Sequence, residues 1–300
     1  MAKYLISHDL GTSSNKASLF STEGELIKSH TVPYEVHFFH KNYAEQDPEE
    51  WWQAVCQATR EIVKGIDPSE VLAVSFSSQM QACIVVDREG KALRPAMIWA
   101  DHRAEKQAEY LEEKIGFGRM YEINGHRVSP SYSIEKLMWI KEHEPEIYGK
   151  TYKMLLAKDY IICRLTGAFV TDYSEASGTD VFDLRHLKWS EEILEAAGID
   201  PGKLPELFCP QQYGRSWNTA RSYRHLWRKP NLLQHFSTGR DTGLHVPFQS
   251  CPPFQTMRRY GESLLHGHLR QSSHTYRSIR SSRRWRRPRG FPGWKASHRG

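Results

Sequence analysis

The residues with chemical potential begin at the N-terminus. In HDLGTSSNKASLF, residues 8–20, an apolar run ends at Asp9, Gly11 follows two positions later, and Thr12 and Ser13 lead into a second apolar run. A tight turn of this kind offers backbone N–H groups and hydroxyls to phosphate oxygens, and a carboxylate at its entrance can hold hydrated Mg2+. Asp9 is therefore the candidate metal ligand, with Gly11, Thr12 and Ser13 the candidate phosphate contacts. Alone, the pattern fits an unliganded hairpin turn equally well.

Two further segments add polar groups of another kind, SFSSQMQACIVVD at residues 75–87 and RPAMIWADHRAE at residues 94–105. Gln79, Asp101 and Arg103 carry the directional donors and acceptors that hold the hydroxyls of a polyol, and Met80 and Trp99 could pack on its C–H face. Each has a plainer alternative. Asp101 and Arg103 could be a local charge pair, or Asp101 a cap, at the start of the next helix. Met80 and Trp99 could be core residues.

Taken together, these blocks resemble the FGGY carbohydrate kinases, in their xylulokinase-like branch. Asp9, Gly11, Thr12 and Ser13 match the family's phosphate loop, Gln79-Met80 its substrate segment, and Trp99, Asp101 and Arg103 its Trp-x-Asp-x-Arg element. The similarity continues through SYSIEKLMWIKEHEPEIY, LAKDYIICRLTGAFVTDYSEASGTDVFDLR and WSEEILEAAGIDPGKLPELF to about residue 208.

The resemblance implies an actin-like (ribonuclease H-like) α/β ATPase domain, a mixed sheet with flanking helices. It implies ATP and Mg2+ as cofactors and transfer of the γ-phosphoryl group to a hydroxyl of a sugar or polyol, a pentulose such as xylulose first. Three positions depart from the pattern. His8 and Asn15 flank the phosphate loop where the family carries smaller side chains, and Gln81 stands where xylulokinases carry histidine.

The family's catalytic base is an aspartate in a Gly-rich GGGD-type turn. Asp241, in STGRDTGL, lacks that glycine run, so no catalytic residue is assigned and the chain is expected to be truncated and inactive.

The elements that must position these residues read as follows. Lys3 to Ser7, Lys16 to Ser21 and Leu26 to Tyr34 are expected strands, with His8 to Asn15 as a polar turn. Asp47 caps a helix with Pro48 in its first turn and an apolar face through Trp52, Val55, Thr59, Ile62, Val63 and Ile66. Val71 to Ser77 and Cys83 to Asp87 are strands, the second ending in the Arg88-Glu89-Gly90 turn.

Helical spacing marks 104–115, 133–143 (through Ile134, Leu137, Met138 and Lys141), 159–165 and 190–197, stopped by Gly116, Pro145, Gly167 and Gly198. Strands first and then strands mixed with helices indicate an α/β domain. The DYSxAS block around Asp172 reads as a polar turn with a structural role.

Composition divides the chain near Pro210. Residues 211–300 hold 18 Lys+Arg against 2 Asp+Glu, so a tail at +16 and a body at −10 lie behind the overall +6. Arginine usage jumps at the same place and apolar periodicity stops. The expected domains are a sugar-binding domain at 1–210 and a basic, disordered tail at 211–300, an out-of-frame or otherwise foreign C-terminus.

An acidic body suits small metabolites rather than nucleic acid, although Trp217, Trp227, Trp285 and Trp294 among the tail arginines leave polyanion binding as a competing function. A non-catalytic actin-like nucleotide-binding protein is the other. No leader or span is visible, so a cytoplasmic protein without membrane or specific nucleic-acid partners is expected, with a homodimer as its assembly. The five cysteines form no metal or disulfide pattern and should be reduced thiols.

Overall fold

The computed structural model describes residues 3–208 of the 300-residue chain. The expectations for 211–300, including the basic disordered tail, Asp241 and the tryptophan-arginine run, lie outside the described residues, as do Cys209 and Cys251. In chain order the elements are β1 (Tyr4–Leu10), β2 (Ser14–Ser21), β3 (Leu26–Pro33), β4 (His37–Phe39), β5 (Tyr43–Gln46), α1 (Pro48–Ile62), β6 (Val71–Ser78), β7 (Ile84–Val86), β8 (Ala96–Met97), α2 (Glu105–Ile115) and α3 (Phe117–Asn124). There follow α4 (Ser133–His143), α5 (Pro145–Lys150), β9 (Lys153–Leu155), α6 (Ala157–Thr166), β10 (Val170–Asp172), α7 (Tyr173–Ser177), β11 (Phe182–Asp183), β12 (Lys188–Trp189), α8 (Glu191–Ala197) and β13 (Glu206–Phe208).

The principal sheet runs β3-β2-β1-β6, with β1 antiparallel to β2 and parallel to β6. The parallel register sets Asp9 opposite Ser77 and Leu10 opposite Ser78. Both strands therefore release their loops at the same end of the sheet, which brings the Asp9–Ser13 turn and the Gln79–Gln81 turn together. The expected polar turn at residues 8–15 is shorter than its composition suggested. His8, Asp9 and Leu10 continue β1, and Ser14 and Asn15 open β2, because each finds a cross-strand partner.

One face of β1 and β2 packs on α1. Ile6, Ala17 and Leu19 meet Ala54, Ala58 and Ile62. Asp47 caps α1 by accepting from Glu49 N at 2.8 Å, as its position before Pro48 predicts. The buried stripe is Trp51, Ala54, Val55, Ala58, Thr59 and Ile62, a clean i, i+3, i+4, i+7 series. Trp52 is only partly buried and sits under the Arg164 guanidinium, while Val63 and Ile66 lie past the helix end; the small Ala54 and Ala58 had hidden the true face.

A second core joins Leu10, Trp51, Ile84, Ile98, Leu155 and Tyr160. A third gathers Leu111, Met120, Leu137, Ile140 and Ile193 among the later helices. α4 matches its expected bounds but is buried almost all round, and its buried lysine is Lys136 rather than Lys141, which is exposed. The turn after β7 needs Gly90. At φ 76 a side chain there would be strained, and a Cβ would lie 2.8 Å from Cys163 Sγ. Cys56, Cys83 and Cys163 are buried and form no disulfide. No helix among the described residues is long and apolar enough to cross a membrane.

Candidate active site

At the end of β1 the chain closes a tight turn in which Gly11 N donates to Ser14 O at 2.9 Å. Tyr34 OH donates to Gly11 O at 2.6 Å, and Gln46 Nε2 donates to Thr12 O at 2.8 Å. Gly11 thus gives the turn its shape and spends its own N–H internally. The Thr12 and Ser13 amides and the exposed Ser13 side chain remain as donors. Asp9 is exposed beside this turn, 3.3 Å from the Ser77 hydroxyl. An exposed carboxylate at a strand end next to unspent amides suits hydrated Mg2+ and the phosphates it accompanies.

The two departures beside the loop form one unit. His8 Nδ1 and the Asn15 side chain lie 3.2–3.3 Å apart, His8 Nε2 reaches Thr59 Oγ1 at 3.2 Å, and Asn15 Nδ2 donates to Ala54 O at 3.3 Å. Burial pushes the His8 imidazole down to about 4, and its ring stacks on Phe76. The pair is a neutral bracket that fastens the Asp9–Ser13 turn to α1, with each unusual residue satisfying the other.

The Gln79 backbone extends the β1/β6 pairing by donating to Leu10 O at 2.7 Å. Its side chain donates from Nε2 to Gln46 Oε1 at 2.8 Å, so Gln79, Gln46 and the Thr12 carbonyl form one chain of bonds. Gln79 Oε1 is buried without a donor. Trp99 Nε1 donates to Thr12 Oγ1 at 3.0 Å and so joins the Trp-x-Asp-x-Arg element directly to the Asp9–Ser13 turn. Trp99 is 45% exposed and Met80 60% exposed, so neither is a core residue.

Asp101 and Arg103 are placed otherwise. Asp101 is fully buried, with Oδ2 accepting from Ala44 N at 2.7 Å and from Arg103 Nη2 at 2.6 Å, and Oδ1 accepting from Arg103 N and Nε. Arg103 also pairs with Glu45 at 2.7 Å and lies over the Tyr43 ring. Both Asp101 oxygens and the Arg103 Nε and Nη2 are thus engaged within the protein. Of the plainer alternatives the local charge pair is met, with Arg103 Nη2 2.6 Å from Asp101 Oδ2, and the cap is not, because α2 begins at Glu105 with no side-chain cap. Asp101 and Arg103 instead brace the β4/β5 hairpin under Trp99.

Spacing in the sequence had not pointed to Gln46, Tyr34 or Lys136. Lys136 Nζ donates to the carbonyls of Gln81 at 2.8 Å, Ile98 at 2.7 Å and Ser131 at 2.5 Å, holding the Gln-Met-Gln turn against the approach to Trp99. Burial lowers this ammonium to about 8. A lysine flanked by Ile134, Leu137 and Met138 was the available signal. Gln81 adopts φ 63, a left-handed conformation rare outside glycine and worth explaining at a candidate site. Asp172 caps α7 and pairs with Lys158, the structural role expected of its block.

Comparison with known proteins agrees with this geometry. The model of the FGGY family of carbohydrate kinases, N-terminal domain, matches residues 4–220. The chain is 34% identical over 209 residues to the xylulose kinase of Staphylococcus xylosus, covering 70% of this chain and 43% of that protein. It is 36% identical over 207 residues to the gluconokinase of Bacillus subtilis (strain 168), covering 69% and 40%.

Among solved structures, the gluconate kinase from Lactobacillus acidophilus superposes with a TM-score of 0.66 at 30% identity, over 70% of this chain and 42% of that one. The ligand-bound xylulose kinase from the same species gives 0.65 at 31%, over 69% and 42%. The chain spans about two fifths of the length of these relatives. With the Asp9–Ser13 turn, the Gln-Met turn and the Trp-x-Asp-x-Arg element on one end of an actin-like mixed sheet, the chain belongs to the FGGY family of carbohydrate kinases through its N-terminal domain.

Proposed function

We propose that residues 3–208 form the acceptor-binding wall of an ATP-dependent carbohydrate kinase, which moves the γ-phosphoryl group of ATP to a hydroxyl of a sugar or polyol. In that reaction the acceptor oxygen bonds to the γ-phosphorus, the bond to the β–γ bridging oxygen breaks, ADP leaves and the hydroxyl proton passes to a base. Positioning and charge stabilisation dominate the rate of such transfers.

The observation that carries the reading is the 3.0 Å bond from Trp99 Nε1 to Thr12 Oγ1, which sets an exposed aromatic edge against a phosphate-type turn. Beside it, the donor-less Gln79 Oε1 is a buried acceptor that a substrate hydroxyl would satisfy. Met80 and Trp99 would pack on the substrate's C–H face. Asp9 would hold Mg2+ through water, and Thr12 and Ser13 would meet the phosphates. Bound Mg2+ would neutralise charge on the transferring group; the chain's own share is to hold the acceptor oxygen in line. Asp101, Arg103 and Lys136 act by holding these contacts in place.

The acceptor class is a polyhydroxylated open-chain sugar, a pentulose such as xylulose first, with an aldonate such as gluconate next. The cytoplasm is the compartment where such a substrate meets Mg-ATP. The test is thermal stabilisation of the full chain by D-xylulose, D-ribulose, gluconate and glycerol, each measured separately. Stabilisation by a pentulose or an aldonate is expected, and no response to any of the four overturns the reading.

A further inference from the structure

Behind Gln81 lies a buried acidic pair that nothing above uses. Glu135 in α4 and Asp180 in the loop after α7 are both fully buried, and their carboxyls lie within hydrogen-bonding reach of each other. Asp180 Oδ1 is well supplied, receiving Asn124 Nδ2 at 2.6 Å and His126 Nδ1 at 3.0 Å. Asp180 Oδ2 and both Glu135 oxygens have no donor.

Two facing carboxylates would leave three buried anionic oxygens unpaired, which a folded interior does not tolerate. One added proton bridges two of the three and leaves the third on an uncharged group. A neutral Glu135 donates to Asp180 Oδ2, and Asp180 stays ionised opposite His126.

The other charged and titratable groups facing the pair agree with that assignment. Lys136 adjoins Glu135 but spends its Nζ on three carbonyls. His126 presents Nδ1 to Asp180 and Nε2 to the Ser177 carbonyl at 2.9 Å, two acceptors that together require the doubly protonated ring. The Tyr132 ring stacks on His126 with centroids 4.4 Å apart, and its hydroxyl is reached by the Gln81 side chain. Asp180 and Gln81 are both held at left-handed φ, 69 and 63. Such conformations persist where surroundings over-determine them.

We propose that Glu135 is a neutral carboxylic acid whose proton bridges to Asp180, and that this bridge is a positioning device which, through His126 and Tyr132, fixes Gln81 at the rim of the acceptor site. The inference rests on the proposed function only for what Gln81 serves; its test does not.

Glu135→Gln preserves a donor and cannot ionise, whereas Glu135→Leu removes the donor and orphans Asp180 Oδ2. Burial and Asp180 raise Glu135 well above its usual 4.5, so the folded state keeps a proton that the unfolded chain releases above that value. Wild-type stability therefore falls as pH climbs past about 4.5, and Glu135→Gln is free of that loss.

The experiment follows the thermal midpoint of the full chain from about pH 5 to about pH 8 for wild type, Glu135→Gln and Glu135→Leu, with amide exchange at residues 79–82. The midpoint of Glu135→Gln minus wild type should grow more positive as pH rises, with exchange at 79–82 unchanged. Glu135→Leu should melt several degrees lower and exchange faster at 79–82. A Glu135→Gln difference that is flat or turns negative with pH overturns the neutral acid. Faster exchange in Glu135→Gln, or none in a folded Glu135→Leu, overturns the positioning role.

Discussion

Trp99 Nε1 donates to Thr12 Oγ1 across 3.0 Å, joining two segments 87 residues apart at one end of the sheet. If this bond sets the angle of the indole over the acceptor, then Trp99→Phe and Thr12→Val should weaken D-xylulose binding by similar amounts. The double variant should be little worse than either single one. A neutral, half-exposed hydrogen bond is worth about 0.5–1.5 kcal/mol, or roughly three- to tenfold in affinity. Titration calorimetry on the four proteins checks it; additive losses would show that the two residues act separately.

His8 and Asn15 should behave as a unit in stability. Asn15→Ala leaves His8 Nδ1 without its partner and removes the side-chain donor to the Ala54 carbonyl, at a cost of about 1–3 kcal/mol. Once His8→Phe has replaced the imidazole, the same change should cost at least about 1 kcal/mol less. Denaturant unfolding of the double-mutant cycle measures this coupling.

Lys136 and Lys141 lie on the same helix and should differ sharply. Lys136→Met strands three carbonyls, two of them next to the acceptor segments, and should destabilise by about 3 kcal/mol while abolishing sugar-dependent stabilisation. Lys141→Met, at an exposed position, should cost under about 1 kcal/mol.

Asp159 supplies a second pH dependence. It is fully buried, Oδ1 has no donor, and burial with the neighbouring Glu175 pushes it up to about 8. The fold keeps its proton while the unfolded chain loses it above about 3.8, so its contribution to stability declines as pH rises from 3.8 towards 8 and is level beyond. Asp159→Asn should flatten that part of the stability–pH curve. Urea unfolding across the range checks it, and an unchanged slope would contradict it.

The sequence was a good guide where one physical rule acted alone. The Asp47-Pro48 start of α1, the Ser133–His143 span of α4 and the glycine stop at Gly198 each follow from local chemistry, and the structure repeats them. The convergence of Asp9, Gly11, Thr12, Gln79 and Trp99 was legible only because several blocks resembled one family. Their contacts span distances that no periodicity encodes.

What stayed hidden has two causes. Asp101 and Arg103 look like hydroxyl ligands by type, and only the fold shows that they pair with each other and with Ala44 and Glu45. Gln46, Glu135 and Asp180 act through partners in other elements, so nothing in their own neighbourhoods marks them out, and the apolar neighbours of Lys136 mark it as buried without naming its partners.

The central claim, that Gln79 Oε1 and Trp99 form the hydroxyl-facing wall, is tested most directly by titrating D-xylulose into the full chain and into Gln79→Leu. The account predicts saturable binding to the wild type and a loss of at least about tenfold in Gln79→Leu, which should stay folded but melt somewhat lower because Gln46 Oε1 loses the Gln79 amide donor. Equal affinity in the two proteins would contradict it.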